Sequence, residues 1–212
     1  MCQAGARTHR GCRSEYSPGG IMSVSEDLRY PIGRMPVPSA PVAAEQREEC
    51  IVSIETLPRR LRAAVAGFTP EQWQTPYRPG GWTVHQLVHH IPDSHLNGYT
   101  RFKLALTEDE PTIKPYNQAA WAELADVAAT PPEISLVLLE ALHRRWVALL
   151  RSLPEAAFAR TWHHPEHDRT FTLDHLLAQY GWHSEHHLAH ITRLVEREGW
   201  TSSRSGSQRD GG

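Results

Sequence analysis

Apolar residues recur every three to four positions along four long stretches of the chain, and nowhere do they alternate for long enough to argue a strand series. The first stretch, 42–67, carries Ile51, Ile54, Leu57, Leu61 and Val65 on one stripe. That is the 3.6-residue period of an amphipathic helix. Pro58 lies inside it, and a proline removes one helical N–H and crowds the preceding turn, so a kink or split is expected there. "TPYRPGG" (75–81) reads as a loop from its Pro and Gly content. A second helix is expected from near Trp82, with Thr83 as a cap, to about Leu106, on the stripe Val84, Leu87, Val88 and Ile91. A third, over about 133–151, is marked by Ile134, Val137, Leu138, Leu142 and Leu149. "HHPEHDRT" (163–170) reads as a turn, and a fourth helix runs from near Thr172 to Glu198 with Gly199 as its stop.

This pattern predicts an all-α fold, a four-helix bundle over 41–200. The longer links, around 107–132 and 152–171, leave its topology open. Residues 1–40 are rich in Gly, Pro, Ser and Arg and predict a flexible tail; Met22 is an alternative start that would make 1–21 an over-extension. Residues 201–212 predict a second disordered tail.

Composition narrows the function classes. The 212 residues are 40% hydrophobic and 22% charged, ordinary for a globular domain. A net charge of -2 without a basic stripe argues against nucleic acid as a partner. No apolar run is long enough to span a membrane. The three cysteines, Cys2, Cys12 and Cys50, are odd in number and outside every motif, which fits a reducing compartment. With no signal-peptide pattern at the N-terminus, the cytoplasm is the expected location.

Histidine changes the picture. There are 14, and eight fall in two windows, 85–95 and 183–190. In "YGWHSEHHLAH" (180–190), a stripe through Leu173, Leu176, Tyr180, Ser184, His187, Ile191 and Leu194 would face the core. At 100° per residue His187 lies near its middle, His183 about 40° away, His190 about 60° and His186 about 100°, toward the rim. His183 and His187 are therefore the i, i+4 pair aimed most directly inward, and two stacked imidazoles can chelate one ion. A third ligand should come from the second helix, which offers His85, His89, His90 and His95; spacing does not choose between His89 and His90. An isolated H-x-x-x-H is weak evidence, since a lone inward histidine is more often a hydrogen-bonded core residue. Two dense clusters on two core-facing helices strengthen the metal reading. The loop set His163, His164, Glu166 and His167 is better read as a solvated turn around Pro165.

Several separated stretches together resemble the YfiT-like metal-dependent hydrolases of the DinB superfamily. They are "YPIG" (30–33), "TPYRPGGWTVHQLVHH" (75–90), "DSHLNGYTRFKLALTEDEPTIKPY" (93–116), "LHRRWVALLRSL" (142–153) and "WHSEHHLAHIT" (182–192). The resemblance spans Tyr30 to Trp200. It implies that the histidine eight residues after the tryptophan of "GGWTV" is a ligand, which selects His90, and that the last-helix ligands are His183 and His187. Pro92, two residues after His90, departs from the pattern and is expected to kink the helix beside the ligand.

The resemblance further implies zinc, one per subunit, although three imidazoles also suit nickel or iron. It implies a homodimer. With three neutral protein ligands, a metal-activated water would be the nucleophile for hydrolysis of a small-molecule substrate. Asp93, three residues after His90, is the candidate second-shell carboxylate, with a surface carboxylate as the equal alternative. Two other readings stand beside hydrolysis. One is transfer of a low-molecular-weight thiol, as occurs in the superfamily; the other is a non-catalytic metal-binding bundle.

Overall fold

The computed structural model describes residues 28–36 and 42–200. The tails expected over 1–27, 37–41 and 201–212, with the alternative start at Met22, lie outside the described residues. Four long helices dominate: α1 (Ala44–Ala64), α3 (Val84–Thr107), α6 (Pro132–Ser152) and α7 (Leu173–Arg197). Short helices α2 (Pro70–Trp73), α4 (Gln118–Trp121) and α5 (Ala125–Ala129) fill the first two links. A 3-10 turn (Glu155–Ala159) and a hairpin of β1 (Thr161–His164) and β2 (Arg169–Thr172) fill the third. No described helix is long and apolar enough to cross a membrane.

The helix starts are set by local chemistry. Thr83 Oγ1 accepts the backbone N–H of Gln86 at 3.1 Å, and the Gln86 side chain accepts the Thr83 N–H in return. Thr172 Oγ1 accepts the N–H of His175. Both arrangements satisfy donors a helix N-terminus leaves bare. Gly199, at φ 64°, takes the left-handed conformation that ends α7.

Cross-helix contacts fix the topology. Asp174 binds Arg47 through two oxygens, at 2.6 and 2.9 Å, and Glu185 binds Arg60, so α1 and α7 run parallel. Arg151 reaches Glu48 and Glu55 while His143 meets Ile54, so α1 and α6 are antiparallel. His89 bonds Ser135 and His95 bonds His143, so α3 and α6 are parallel. Tyr180 donates to Ser94 while His90 faces His187, so α3 and α7 are antiparallel. The order along the chain is up-down-down-up, and α1 and α3, consecutive in the chain, are not neighbours in the ring.

Three expectations need correction. The split considered at Pro58 does not occur, since α1 continues through it, as α3 continues through Pro92. The third helix turns a different face inward. Leu136, Leu139, Leu142, Trp146, Val147 and Leu150 are buried, while Ile134, Val137 and Leu138 stay 58%, 58% and 44% exposed. The run "EISLVLLEAL" is apolar on both sides, so periodicity alone assigns it either phase. Finally, 163–170 is a hairpin rather than a bare turn, with His163 opposite Thr170.

The bundle centre is close-packed around Tyr180 and Trp146. A Cβ at Gly98 would lie 2.4 Å from the Tyr180 ring and 2.9 Å from Trp146. Gly98→Ala is therefore expected to destabilise by about 1–3 kcal/mol through overpacking. A urea midpoint equal to that of the wild type would contradict this packing.

Candidate metal centre

The two histidine windows meet between α3 and α7. His90, His183 and His187 each offer a ring nitrogen, and these atoms all lie within 4.8 Å of one another. His183 Nε2 and His187 Nε2 are 3.1 Å apart. The His90 ring centroid is 5.1 Å from that of His187 and 5.6 Å from that of His183. Trp82 packs on His90 at 4.6 Å, so the tryptophan of "GGWTV" backs the imidazole eight residues on.

His89 points elsewhere. Its Nδ1 accepts the Ser135 hydroxyl at 2.7 Å, and its Nε2–H donates to the Thr130 carbonyl at 3.1 Å. His85 also meets the Thr130 carbonyl. These two tie α3 to the start of α6, and the choice that spacing left open falls to His90 for convergence on α7.

Burial decides the charge state. It pushes the imidazole of His90 down to about 4, and those of His183 and His187 well below their usual value, with the neighbouring histidines adding repulsion. All three are neutral at pH 7, the form in which imidazole is a ligand. His187 Nδ1 is buried with no hydrogen-bond partner.

The donor set fits a divalent ion. Tetrahedral zinc with bonds of about 2.0–2.1 Å holds its nitrogens roughly 3.3 Å apart, close to the separation of the His183 and His187 nitrogens. Three protein ligands leave a position open, as catalytic rather than structural zinc does.

The same helix carries another converging set, His186, His187 and His190, with His186 Nε2 3.0 Å from His190 Nε2. The wheel placed His186 and His190 toward the rim; they are instead 8% and 4% exposed. Trp182 of the same helix stacks on His186 at 4.2 Å, and further cover comes from outside the helix. Tyr30 lies 6.5 Å from His186, and Tyr77 packs on His190 at 4.1 Å. Tyr30 belongs to the stretch expected to be a tail, and its contribution could not be read from periodicity. This second set takes all its ligands from one helix and shares His187. Adjacent positions such as 186 and 187 diverge by about 100°, so the two-helix set is the better cage.

Both sets open on one cavity of about 440 Å³. Arg29, Arg78, Tyr30 and Tyr77 also line it, and among the described residues no Asp or Glu does. Asp93, expected near the ligands, lies outside this lining; burial and the neighbouring Asp126 push its carboxyl up to about 6. His163, His164 and His167 join no converging set among the described residues.

His95, one of the candidate ligands offered by α3, and His143, outside both histidine windows, instead support the site from behind. His95 Nε2 meets His183 Nδ1 at 3.0 Å, and His143 Nε2 meets His95 Nδ1 at 2.9 Å. His143 stands in the quoted stretch "LHRRW", but only the three-dimensional packing joins it to the others.

Comparison with known proteins agrees with this picture. The family model for the DinB superfamily matches residues 53–191. "Putative metal-dependent hydrolase YfiT" of Bacillus subtilis (strain 168) is 49% identical over 177 residues, covering 84% of this chain and 99% of the relative. A "Putative metal-dependent hydrolase" of Bacillus cereus (strain 03BB102) is 50% identical over 174 residues, covering 82% and 99%. The solved structure of Bacillus subtilis YfiT, described as a probable metal-dependent hydrolase with an unusual four-helix bundle topology, superposes with a TM-score of 0.80. It shares 48% identity over 82% of this chain and 99% of that one. Sequence and up-down-down-up bundle together make this chain a YfiT-like member of the DinB superfamily.

Proposed function

We propose that the chain is a metal-dependent hydrolase whose ion, zinc as the family resemblance implies, is held by His90, His183 and His187. The observation that carries this reading is the convergence of three neutral imidazoles from two helices on the wall of an open polar cavity. The names of the relatives support the reaction class. When bound, the ion would supply Lewis acidity to a group in its open position.

The chain's own residues define the rest. Trp82 and the bundle core shield His90 and His183 from water on the inner side. Arg29 and Arg78 give the outer wall positive charge that suits an anionic substrate. Among the described residues the lining offers no carboxylate to accept a proton. Asp93 has no part in this scheme.

The same lining favours a second reading, transfer of a low-molecular-weight thiol. A cavity of about 440 Å³ with two arginines and, among the described residues, no carboxylate has the room and charge to anchor an anionic thiol. Incubating the zinc-loaded protein with ester and alkyl-halide electrophiles, with and without thiols, separates the two. Hydrolysed product without thiol is expected. A strict thiol requirement with thioether product would replace hydrolysis by transfer, and metal binding without turnover of either kind would leave a non-catalytic bundle.

A further inference from the structure

Behind the site, three imidazoles run in line from the cavity to the opposite side of the bundle. His183 Nδ1 meets His95 Nε2 at 3.0 Å, His95 Nδ1 meets His143 Nε2 at 2.9 Å, and His143 Nδ1 meets the Ile54 carbonyl. The carbonyl end fixes the direction of the whole line. A carbonyl can only accept, so His143 Nδ1 carries a hydrogen. His95 and His143 are 0% and 1% exposed and, among the described residues, hydrogen-bonded to no carboxylate, and a neutral imidazole ring has one donor and one acceptor. His143 Nε2 therefore accepts from His95 Nδ1–H, and His95 Nε2 accepts from His183 Nδ1–H.

The Ile54 carbonyl is available because of Pro58. In an unbroken helix it would accept the N–H of residue 58; proline has none. The proline that the sequence marked as a breaker leaves α1 intact and frees one inward acceptor.

We propose that His95 and His143, anchored on the carbonyl released by Pro58, are positioning residues that hold His183 in the Nδ1–H tautomer with its Nε2 lone pair bare and aimed at the cavity. One further contact agrees: Ser94 Oγ lies 3.3 Å from His183 Nε2 and can donate to it. The inference deepens the three-histidine metal reading, because a bare Nε2 is the state a ligand needs. A ligating histidine commonly has its other nitrogen held by a carboxylate or carbonyl, and loss of that support weakens metal binding by about 10–100-fold. Here two histidines carry the constraint from a main-chain carbonyl on a third helix.

The test reads the tautomer in the metal-free protein. Long-range proton–nitrogen NMR on histidine-labelled protein, with His183 assigned from the spectrum of His183→Gln, is expected to show Nδ1 protonated and Nε2 bare. His95→Leu removes the acceptor and should convert His183 to Nε2–H or an exchanging mixture, with zinc affinity down by about 10–100-fold in chelator competition. His95→Gln presents an oxygen to His183 and an N–H to His143 with nearly the same separation, and should restore both signals. Pro58→Ala returns an N–H to the Ile54 carbonyl and should loosen the line in the same direction as His95→Leu. Circular dichroism confirms that each variant folds. An Nε2–H His183 in the wild type, or a tautomer and zinc affinity unchanged in His95→Leu, overturns the proposal. The Nδ1–H tautomer in a protein that binds no zinc would uphold the line and overturn the metal reading instead.

Discussion

His187→Ala is expected to purify without stoichiometric zinc and to lose the stabilisation that zinc gives the wild type. A ligand at a thousandfold excess over its Kd stabilises the native state by about 4 kcal/mol. For a domain of this size that is a rise in Tm of roughly 8–16 °C. The variant should show no such rise. The metal-free variant itself should fold. His187 makes one hydrogen bond, and its Nδ1 has no partner, so its removal costs about 1 kcal/mol of hydrogen bonding. Loss of zinc with retained folding separates a ligand from a structural histidine. His89→Ala is the control, since its ring is bound to Ser135 and Thr130 instead. It should lose stability at the α3–α6 contact but keep its metal. Equal zinc content in wild type and His187→Ala, measured by plasma mass spectrometry, would contradict the assignment.

The second large effect is acid sensitivity of the metal-free protein. His90 and His143 are both held down to about 4 by burial. In the unfolded chain each returns to about 6.5. Between these values the unfolded state binds protons that the native state refuses, so stability is present above pH 6.5 and falls as pH drops toward 4. Each group contributes a slope of about 1.4 kcal/mol per pH unit. Over the roughly 2.5 pH units between these values the two together reach about 7 kcal/mol, comparable to the whole stability of many domains. His95, His183 and His187 shift in the same direction. Asp93, raised to about 6, works the other way but is a single, half-buried group. Urea midpoints of metal-free protein should fall steeply from pH 7 to pH 5. A flat profile across that range would show that the buried histidines do not resist protonation.

How much of this was legible in the sequence depends on what each feature rests on. The starts of α3 and α7 were readable because Thr83 and Thr172 carry their cap chemistry locally. The phase of α6 was not, because Ile134, Val137 and Leu138 form as good a stripe as the buried residues do. The up-down-down-up order was invisible as well, since it depends on how two long links cross the bundle ends. Within the site, the helical wheel ranked His187 and His183 above their neighbours, and the structure brings those two together with His90. The wheel misplaced His186 and His190, because Trp182 stacks on the first and Tyr30 and Tyr77, from distant segments, add cover. It could not see the line behind His183 at all. That line joins α1, α3, α6 and α7, and its anchor is a carbonyl freed by a missing N–H, which no spacing rule reports.

The central claim is where the ion sits. Crystals of the protein grown or soaked with zinc, measured at the zinc absorption edge, give that position as an anomalous difference peak. The account predicts one peak per chain, about 2.0–2.1 Å from a ring nitrogen of each of His90, His183 and His187. A peak held by His186 and His190 instead, or no peak in protein that is otherwise folded, would contradict it.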